Sequence, residues 1–503
     1  MATSARFAVV VATVMVAWTQ GAAAGPYDGW KPHGYCNDLD TMDTTKIAPL
    51  TAEQAARVES LEQVQIIARH GARAPYYRLF CWDEKKHNPM NAEWNCTTTS
   101  VSNQDIGFNP TTGFGRLYRK QYLEGQNILN GNCIVGGLLP LGRQQHLKNG
   151  LILRDAYIGD GALKLFPHAN LSQLALDQIY LRSDDQERTL GSGQALMDGM
   201  FPVDGSLSRS VDHMLTWNVA DYSTDHINAN DKICPLMGYI GNLSTNSAEF
   251  QKHVKEPDQV VLAKNFEGHV GNFSWDSALE CLSTARCNDL PLPDGIDEDT
   301  FTKVFQEVEA RQVLYLTYNN SWYAKTAMQP LVNEILGRLN LALEGSPKAQ
   351  RLAITMGHDS TIMPFMAAIV KENWDGKWTP YAGVLSMELY KLKTGSFAAR
   401  MIFQGQPVLI PECNDTLCDI KDYLKALEFG HTDRNCDSPV TADSSVLISD
   451  SQSASGFSFS QYASASVLLG LVALCAFLGI RSQREKKSRG SGRWGDENDN
   501  LLG

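Results

Sequence analysis

The residues best suited to chemistry stand in one short segment, residues 69–75, with the sequence RHGARAP. Two arginines flank one histidine directly after an apolar run, Gln63–Ala68, that predicts a short buried strand. Uncompensated charge at the end of a buried strand is costly, so the segment predicts a bound anion rather than an exposed basic loop. A guanidinium group holds phosphate or carboxylate through two parallel hydrogen bonds, and Gly71 permits close backbone approach.

Two more polar segments follow predicted strands. Asp177–Leu181 leads into residues 182–189, RSDDQERT, and then into a predicted helix over Leu190–Met200. Arg351–Met356 leads into residues 357–361, GHDST, and then into an apolar helical run. Ligands of parallel sheets bind at the carboxyl ends of the strands, so the three polar segments are expected at one edge of the sheet.

The recurring order of strand, polar turn and helix predicts an α/β fold with a mostly parallel sheet flanked by helices. Two late segments, Val384–Leu392 and Ala398–Phe403, alternate well enough to form a terminal hairpin. Residues 206–343 are rich in loops at first and then helical, and we expect them to form a second, smaller helical lobe.

The first segment resembles the signature of the histidine acid phosphatases, Arg-His-Gly-x-Arg-x-Pro. Residues 182–189 are similar to the family's second phosphate-binding segment, with the pattern Arg-Ser-x-Asp-x-x-Arg-Thr. The pair His358-Asp359 is similar to the family's His-Asp pair, and residues 141–146, LGRQQH, are similar to a helix-opening segment. The likeness spans roughly residues 62–403 in the family's order.

The resemblance implies roles for six residues. His70 attacks phosphorus and becomes a phosphohistidine, and the neighbouring arginines keep it neutral in acid by charge repulsion. Asp359 protonates the leaving group and then activates the water that clears the intermediate. The phosphate oxygens are held by Arg69, Arg73, Arg188 and His358. The arginines replace a cation, and the cysteine spacing shows no zinc pattern, so neither a metal nor another cofactor is expected.

Two nearby residues have open interpretations. Arg182 competes with Arg188 for the phosphate, and the resemblance favours Arg188. Arg182 would then anchor the loop by pairing with Asp184 or Asp185. His146, in the helix-opening segment, is expected to be structural.

The two ends of the chain indicate the secretory pathway. Residues 1–24 contain a basic position, an apolar run and then small residues, which is the order of a cleaved signal peptide. Ala463–Ile480 is uncharged and, at 18 residues, just long enough to span a membrane. Basic residues follow this run and are absent from the Ser-rich stretch before it, which predicts a type I orientation.

The chain is therefore predicted to have five parts. They are a signal peptide (1–24), a lumenal catalytic domain (25–437), a Ser-rich stalk (438–462), a transmembrane helix (463–480) and a cytosolic tail (481–503). Ten of the 11 cysteines lie in the lumenal part, and this even number predicts up to five disulfides. Six glycosylation sequons predict surface segments: Asn95, Asn170, Asn242, Asn272, Asn319 and Asn414.

Charge and tail residues bear on partners and location. The formal net charge is -12, which disfavours a nucleic-acid partner. Glu497, Leu501 and Leu502 resemble an acidic dileucine signal that sorting adaptors read. The catalytic domain is accordingly expected in the endosomal or lysosomal lumen or at the cell surface. Relatives in the family often form dimers, so a homodimer is a further expectation of the resemblance.

Three functions remain open. The leading one is hydrolysis of phosphate monoesters in acid. A phytase-like activity on inositol phosphates would use the same site but surround it with further Lys and Arg. A membrane glycoprotein without catalysis would keep the fold and lose parts of the site. Cytosolic mutases of the wider superfamily are disfavoured by the signal peptide and by His358-Asp359.

Overall fold

The structure is a computed structural model that describes residues 34–76, 91–96, 101–103, 117–119, 128–171, 174–202, 215–266, 270, 273–292, 295–431 and 436–437. The predicted signal peptide, stalk, membrane span and cytosolic tail, with Glu497, Leu501 and Leu502, lie outside these residues. Within the described part, every helix is too short or too polar to cross a membrane.

Twelve strands are present in the described residues. In chain order, they are β1 (Val58–Arg69), β2 (Glu93–Trp94), β3 (Val101–Asn103), β4 (Leu117–Arg119), β5 (Asn130–Gly131), β6 (Ile179–Ser183), β7 (Trp217–Asn218), β8 (Leu352–Gly357), β9 (Val384–Leu392), β10 (Phe397–Phe403), β11 (Gln406–Val408) and β12 (Leu417–Asp419). Eight of them form the central sheet, in the order β11-β10-β9-β1-β8-β6-β7, with β12 paired to β10.

Ten α-helices accompany the strands in the same described residues. They are α1 (Ala52–Arg57), α2 (Pro140–Tyr157), α3 (Glu187–Met200), α4 (Pro235–Thr245), α5 (Ala248–His253), α6 (Pro257–Lys264), α7 (Trp275–Cys287), α8 (Glu298–Leu343), α9 (Asp359–Ile369) and α10 (Ile420–Ala426). Helix α8 is interrupted by non-helical backbone at residues 318–321.

The predicted α/β fold is confirmed, and the sheet is mixed. Strands β1, β8, β6 and β7 run parallel, whereas the predicted hairpin β9–β10 and its neighbours β11 and β12 add an antiparallel half. Strand β1 begins at Val58, five residues before the predicted start at Gln63, because its first half also pairs with β9. Apolar side chains cover both faces of β8, as expected of a central parallel strand.

The predicted helical lobe lies in residues 235–343. Helix α7 and the first half of α8 enclose an apolar cluster that includes Leu279, Leu282 and Phe305. The second half of α8 packs instead into the core beside the sheet, through Leu331, Ile335 and similar residues. Helix α8 therefore joins the lobe to the sheet.

The predicted disulfides are confirmed for the described cysteines. Four pairs form, and Cys281 is disulfide-bonded as well; the pairs are Cys36–Cys287, Cys96–Cys133, Cys234–Cys436 and Cys413–Cys418. The first pair links the segment before β1 to the end of α7. Four sequon asparagines are exposed and Asn170 is half-buried, whereas Asn272 lies outside the described residues; the exposed four are Asn95, Asn242, Asn319 and Asn414.

Candidate active site

The three polar segments predicted from the sequence meet at one edge of the sheet. Strands β1 and β8 pair in parallel up to Arg69 and Gly357, and β6 pairs with β8 up to Ser183. The three strands thus end side by side, and the turns that follow them face one another. This convergence brings histidines, arginines and carboxylates from distant parts of the chain into one buried cluster.

His70 lies at the centre of this cluster with 2% of its surface exposed. Its backbone N–H donates to the carbonyl of Gly357 at 3.0 Å, which fixes the turn to the end of β8. The ring Nδ1 lies 2.8 Å from the carbonyl of Gly71. A carbonyl only accepts, so Nδ1 carries the proton and the lone pair stays on Nε2.

The surroundings of His70 keep its ring neutral. Burial is the largest cause, because an enclosed imidazolium loses its hydration. Nearby groups add charge repulsion and together hold the pKa of His70 well below 6.5: Arg188, Arg69, His358 and Arg73. The sequence predicted this direction from the arginines, but not the larger part that burial plays.

Helix α2 supports the loop that carries His70. A side chain at Gly71 would meet the backbone of Gly142 at 2.3 Å, so the close approach that Gly71 permits is to this helix. Gln145 accepts from the N–H of Ala72 at 2.8 Å. The ring Nε2 of His146 lies 2.8 Å from the carbonyl of Arg69, in line with its predicted structural role.

Arg69 is fully buried beside two aromatic rings that contact each other. Its guanidinium carbon lies 5.0 Å from the ring centroid of Tyr35 and 4.5 Å from that of Tyr381. One terminal nitrogen donates to the carbonyl of Thr379 at 2.5 Å, and the other lies 2.9 Å from Asp359 Oδ2. The protein therefore holds both ends of the Arg69 fork.

Arg73 is paired with a carboxylate from the helical lobe. Its two terminal nitrogens donate to Oε1 and Oε2 of Glu280 on α7, at 2.6 and 3.2 Å. Glu280 also accepts from the N–H of Tyr76, whose ring lies 5.1 Å from the guanidinium of Arg73. Glu280 thus occupies both terminal nitrogens of Arg73, and the predicted contact of Arg73 with a phosphate stays a prediction that would use its Nε.

Arg188 stands in the first turn of α3, beside the ring of Tyr76. Its guanidinium carbon lies 4.7 Å from the ring centroid of Tyr76. Burial lowers the pKa of Arg188; Tyr76 and Asp184 oppose the shift, and the charge on Arg73 adds to it. The charged form of this side chain is therefore held at a cost in the ligand-free protein.

All three arginines keep one buried donor unused. The Nε atoms of Arg69, Arg73 and Arg188 have no hydrogen-bond partner among the described residues. Each unmet buried donor costs about 1–3 kcal/mol, and charged groups cost more. Three such donors near one neutral imidazole can be satisfied by an anion with several oxygens.

His358 and Asp359 complete the cluster at the start of α9. Asp359 accepts from the indole Nε1 of Trp378 at 2.8 Å and pairs with Arg69. Burial would raise the pKa of Asp359, but Arg69 and the Trp378 hydrogen bond, followed by His358, outweigh it, and the pKa lies below 3.8. His358 Nε2 lies 2.6 Å from Asp184 Oδ2.

Arg182 stands apart from the cluster. One of its terminal nitrogens lies 2.5 Å from Asp225 Oδ1, and the other donates to the carbonyl of Ser183. The prediction that Arg182 anchors a loop is confirmed, but the predicted partners, Asp184 and Asp185, are wrong. Asp225 lies 43 residues away and follows no sequence pattern that would have revealed it.

Six residues around the site were missed from the sequence, and two of them, Tyr76 and Tyr381, are described above. Tyr35 and Trp378 stack on or hydrogen-bond to charged site residues, and Asp184 and Glu280 pair with His358 and Arg73. Tyr35, Glu280 and Trp378 belong to no motif, and Asp184 occupies a variable position of one. The described residues contain no cluster of His, Cys, Asp or Glu that could hold a metal ion.

Comparisons with known proteins agree with this geometry. Residues 60–404 match the family described as the histidine phosphatase superfamily (branch 2). Counting factor 60 of Dictyostelium discoideum is 26% identical over 380 residues, which cover 73% of this chain and 85% of that protein. Lysosomal acid phosphatase of Bos taurus is 25% identical over 310 residues, which cover 58% of this chain and 70% of that protein.

A solved structure shares the fold. Hafnia alvei phytase in complex with tartrate superposes with a TM-score of 0.51 at 16% sequence identity. The match covers 76% of this chain and 99% of the phytase. At this identity the likeness shows the architecture alone.

Proposed function

Because the chain belongs to the histidine phosphatase superfamily (branch 2), we propose that it hydrolyses phosphate monoesters in acid, with His70 as the nucleophile. One observation carries the proposal. Three buried Nε donors, from Arg69, Arg73 and Arg188, find no partner among the described residues, and they lie near an imidazole whose Nδ1 carries the proton. The non-bridging oxygens of a phosphoryl group would satisfy these donors as charge develops in the transition state.

The first step transfers the phosphoryl group. His70 Nε2 attacks phosphorus, the bond to the leaving oxygen breaks, and the electron pair departs with that oxygen. Asp359, when protonated, donates its proton to the leaving oxygen, so an alcohol is released. The hydrogen bond from Nδ1 to Gly71 holds the ring of His70 in the required tautomer.

The second step returns the enzyme to its starting state. Water attacks the phosphorus of phosphohistidine, Asp359 accepts a proton from that water, and the nitrogen–phosphorus bond breaks. Inorganic phosphate leaves, and His70 is again neutral. No step requires a group that this site does not hold.

Acidity favours the first step through two opposite requirements. His70 must be neutral, and its lowered pKa preserves the neutral form well below pH 6.5. Asp359 must be protonated, although Arg69 and Trp378 lower its pKa in the ligand-free protein. A bound phosphate places negative charge beside Asp359 and raises its pKa, so an acidic optimum follows.

The charge balance supports substrates with a single phosphate. Each of three cationic or imidazole groups is faced by a carboxylate: Arg69 by Asp359, Arg73 by Glu280, and His358 by Asp184. An inositol polyphosphate would bring several further anionic groups toward these carboxylates. The phytase-like alternative is therefore less well supported, although the fold resembles a phytase.

The non-catalytic alternative has one relative in its favour, Counting factor 60, whose name describes no hydrolysis. Buried donors without partners are costly to keep, and a purely structural role would favour their replacement. Lysosomal acid phosphatase, by its name, has the activity proposed here. We therefore favour catalysis.

The location remains a proposal as well. We propose that residues 25–437 face the lumen of an endosome or lysosome, or the cell exterior, with 463–480 as a single membrane span. The disulfides and the exposed sequons support an oxidising compartment. Glu497, Leu501 and Leu502 would bind a sorting adaptor, and a homodimer stays a proposal from the family.

Phosphate release from an aryl phosphate tests the proposed function. The lumenal domain, the His70→Ala variant and a control variant, His226→Ala, are assayed from pH 4 to pH 8. His226 is a half-buried histidine that pairs with Glu334 away from the cluster. We expect an acidic optimum in the wild type and the control, and loss of turnover by about a thousandfold or more in His70→Ala. Equal rates in the wild type and His70→Ala would contradict the proposal.

A further inference from the structure

We propose that Asp184 is a positioning residue of this site, which fixes the orientation of His358 and favours the imidazolium form that donates to phosphate oxygens. The inference rests on the proposed function, because it assigns His358 to the phosphate. It adds a residue that the family's pattern leaves variable, since position 184 is the x of Arg-Ser-x-Asp.

Asp184 is held in place beside His358 by the surrounding backbone. Its side chain is fully buried, and Oδ2 lies 2.6 Å from Nε2 of His358. The backbone holds it in place, because its N–H donates to the carbonyl of Met356 at 3.1 Å. The hydroxyl of Thr189 donates to the carbonyl of Asp184 at 2.8 Å and closes the turn between β6 and α3.

The neighbouring aspartate provides a contrast. Asp185 occupies the position that the family pattern specifies, yet its side chain is exposed. The carboxylate that reaches the site is the one at the variable position. The two residues have the same chemistry and adjacent places in the chain, so only their placement distinguishes them.

The contact decides which nitrogen of His358 serves the phosphate. A carboxylate accepts, so the proton between Asp184 and His358 belongs to Nε2. Nδ1 is then the remaining nitrogen, and it donates to a phosphate oxygen only when the ring is protonated. The ring centroids of His358 and His70 are 5.2 Å apart, so a phosphoryl group on His70 lies within reach of this donor.

The charges around His358 set the direction of the effect. Burial lowers the pKa of His358, and Arg188 lowers it further, whereas the hydrogen bond and charge of Asp184 and the charge of Asp359 raise it. Removing the charge of Asp184 therefore lowers this pKa. On raising the pH, the His358 ring would then lose its proton at a lower pH than in the wild type.

Kinetics of matched variants test the inference. The lumenal domain is compared with Asp184→Asn and Asp185→Asn, each alone and in a His358→Asn background. A hydrogen bond to a charged group is worth about 1.5–3 kcal/mol, so Asp184→Asn is expected to lower kcat/KM about ten- to a hundredfold. In the plot of kcat/KM against pH, the decline on the basic side should move to lower pH in Asp184→Asn. Asp185→Asn should behave as the wild type. Asp184→Ser serves as a second variant if the amide does not fold.

The double variants separate a positioning role from a general structural one. If Asp184 acts through His358, Asp184→Asn should lower kcat/KM only slightly further when His358 has already been replaced by Asn. An equal loss in both backgrounds, or an equal loss from Asp185→Asn, would overturn the inference.

An NMR titration of labelled His358 gives a readout that does not need turnover. A lower pKa in Asp184→Asn than in the wild type supports the inference, and an unchanged pKa overturns it. A wild-type domain that releases no phosphate would instead count against the proposed function, so the two failures are distinguishable.

Discussion

The sheet holds two buried clusters that combine arginine, carboxylate and tyrosine. They differ in which of their hydrogen-bonding groups find partners. On β9 and β10, Glu388 accepts from Tyr157, Tyr390 and Arg400 Nε at 2.9, 2.8 and 2.7 Å. One terminal nitrogen of Arg400 has no hydrogen-bond partner in the part of the chain that the structure describes. After the ends of β1 and β6, three arginines each have an Nε with no partner among the residues described, near a histidine whose proton is on Nδ1.

The difference separates a structural cluster from a candidate binding site. In the Glu388 cluster, burial would lower the pKa of Arg400, but the charge of Glu388 more than offsets burial and the pKa is raised. For Arg188, burial prevails and the pKa is lowered. Burial would lower the pKa of Arg69 and Arg73 as well, but their carboxylate partners raise it, as in Arg400. Among these four arginines, Arg188 is the one whose lowered pKa a bound anion would correct.

Exchanging one arginine in each cluster should separate stability from catalysis. Arg400→Met leaves Glu388 buried without its charge partner, and we expect the unfolding free energy to fall by about 3–5 kcal/mol. The rate per folded molecule should not change. Urea denaturation and an aryl phosphate assay on the same sample measure both quantities.

Arg188→Met should show the opposite pattern. Loss of a transition-state donor lowers kcat/KM by about a hundred- to a thousandfold. The unfolding free energy without phosphate should hold or rise, because a costly buried charge is removed. A large loss of stability with little loss of kcat/KM would show that Arg188, like Arg400, has a structural role, and it would contradict the proposed difference between the clusters.

A smaller effect is expected in the pH dependence of stability. The pKa of His70 lies well below 6.5 in the folded chain, so between that pKa and 6.5 the unfolded state binds more protons. The unfolding free energy therefore falls as the pH drops below 6.5, with a contribution from His70 of at most about 1.4 kcal/mol per pH unit.

A variant of the central histidine sharpens this prediction. His70→Phe should show a shallower decline in unfolding free energy between pH 6.5 and pH 5 than the wild type. Denaturant titrations at several pH values measure the slopes. Identical slopes in the wild type and His70→Phe would contradict the assignment of a neutral, buried His70.

Local patterns in the sequence predicted the strands and their turns well. The strand predicted over Arg351–Met356 is observed at Leu352–Gly357, and the one predicted over Asp177–Leu181 at Ile179–Ser183. Short apolar runs next to polar turns carry this information, because a buried strand favours apolar residues and the turn after it favours polar residues and glycine. The edge of the sheet at which the turns meet followed from the parallel order alone.

Long-range partners could not be predicted in the same way. Glu280 reaches Arg73 across 207 residues, and only the packing of α7 brings it there. Asp184 and Asp185 are indistinguishable by residue type, and the choice between them depends on which one the turn buries. The dominance of burial in the pKa of His70 likewise depends on side chains that the motif does not contain.

Trapping the phosphorylated enzyme tests the central claim most directly. The protein is mixed with an aryl phosphate, quenched in base after a short interval, digested and analysed by mass spectrometry. We predict phosphate on His70, with no labelled peptide from His70→Ala. Phosphate on a different residue, or steady turnover with no labelled peptide at any quench time, would contradict the account.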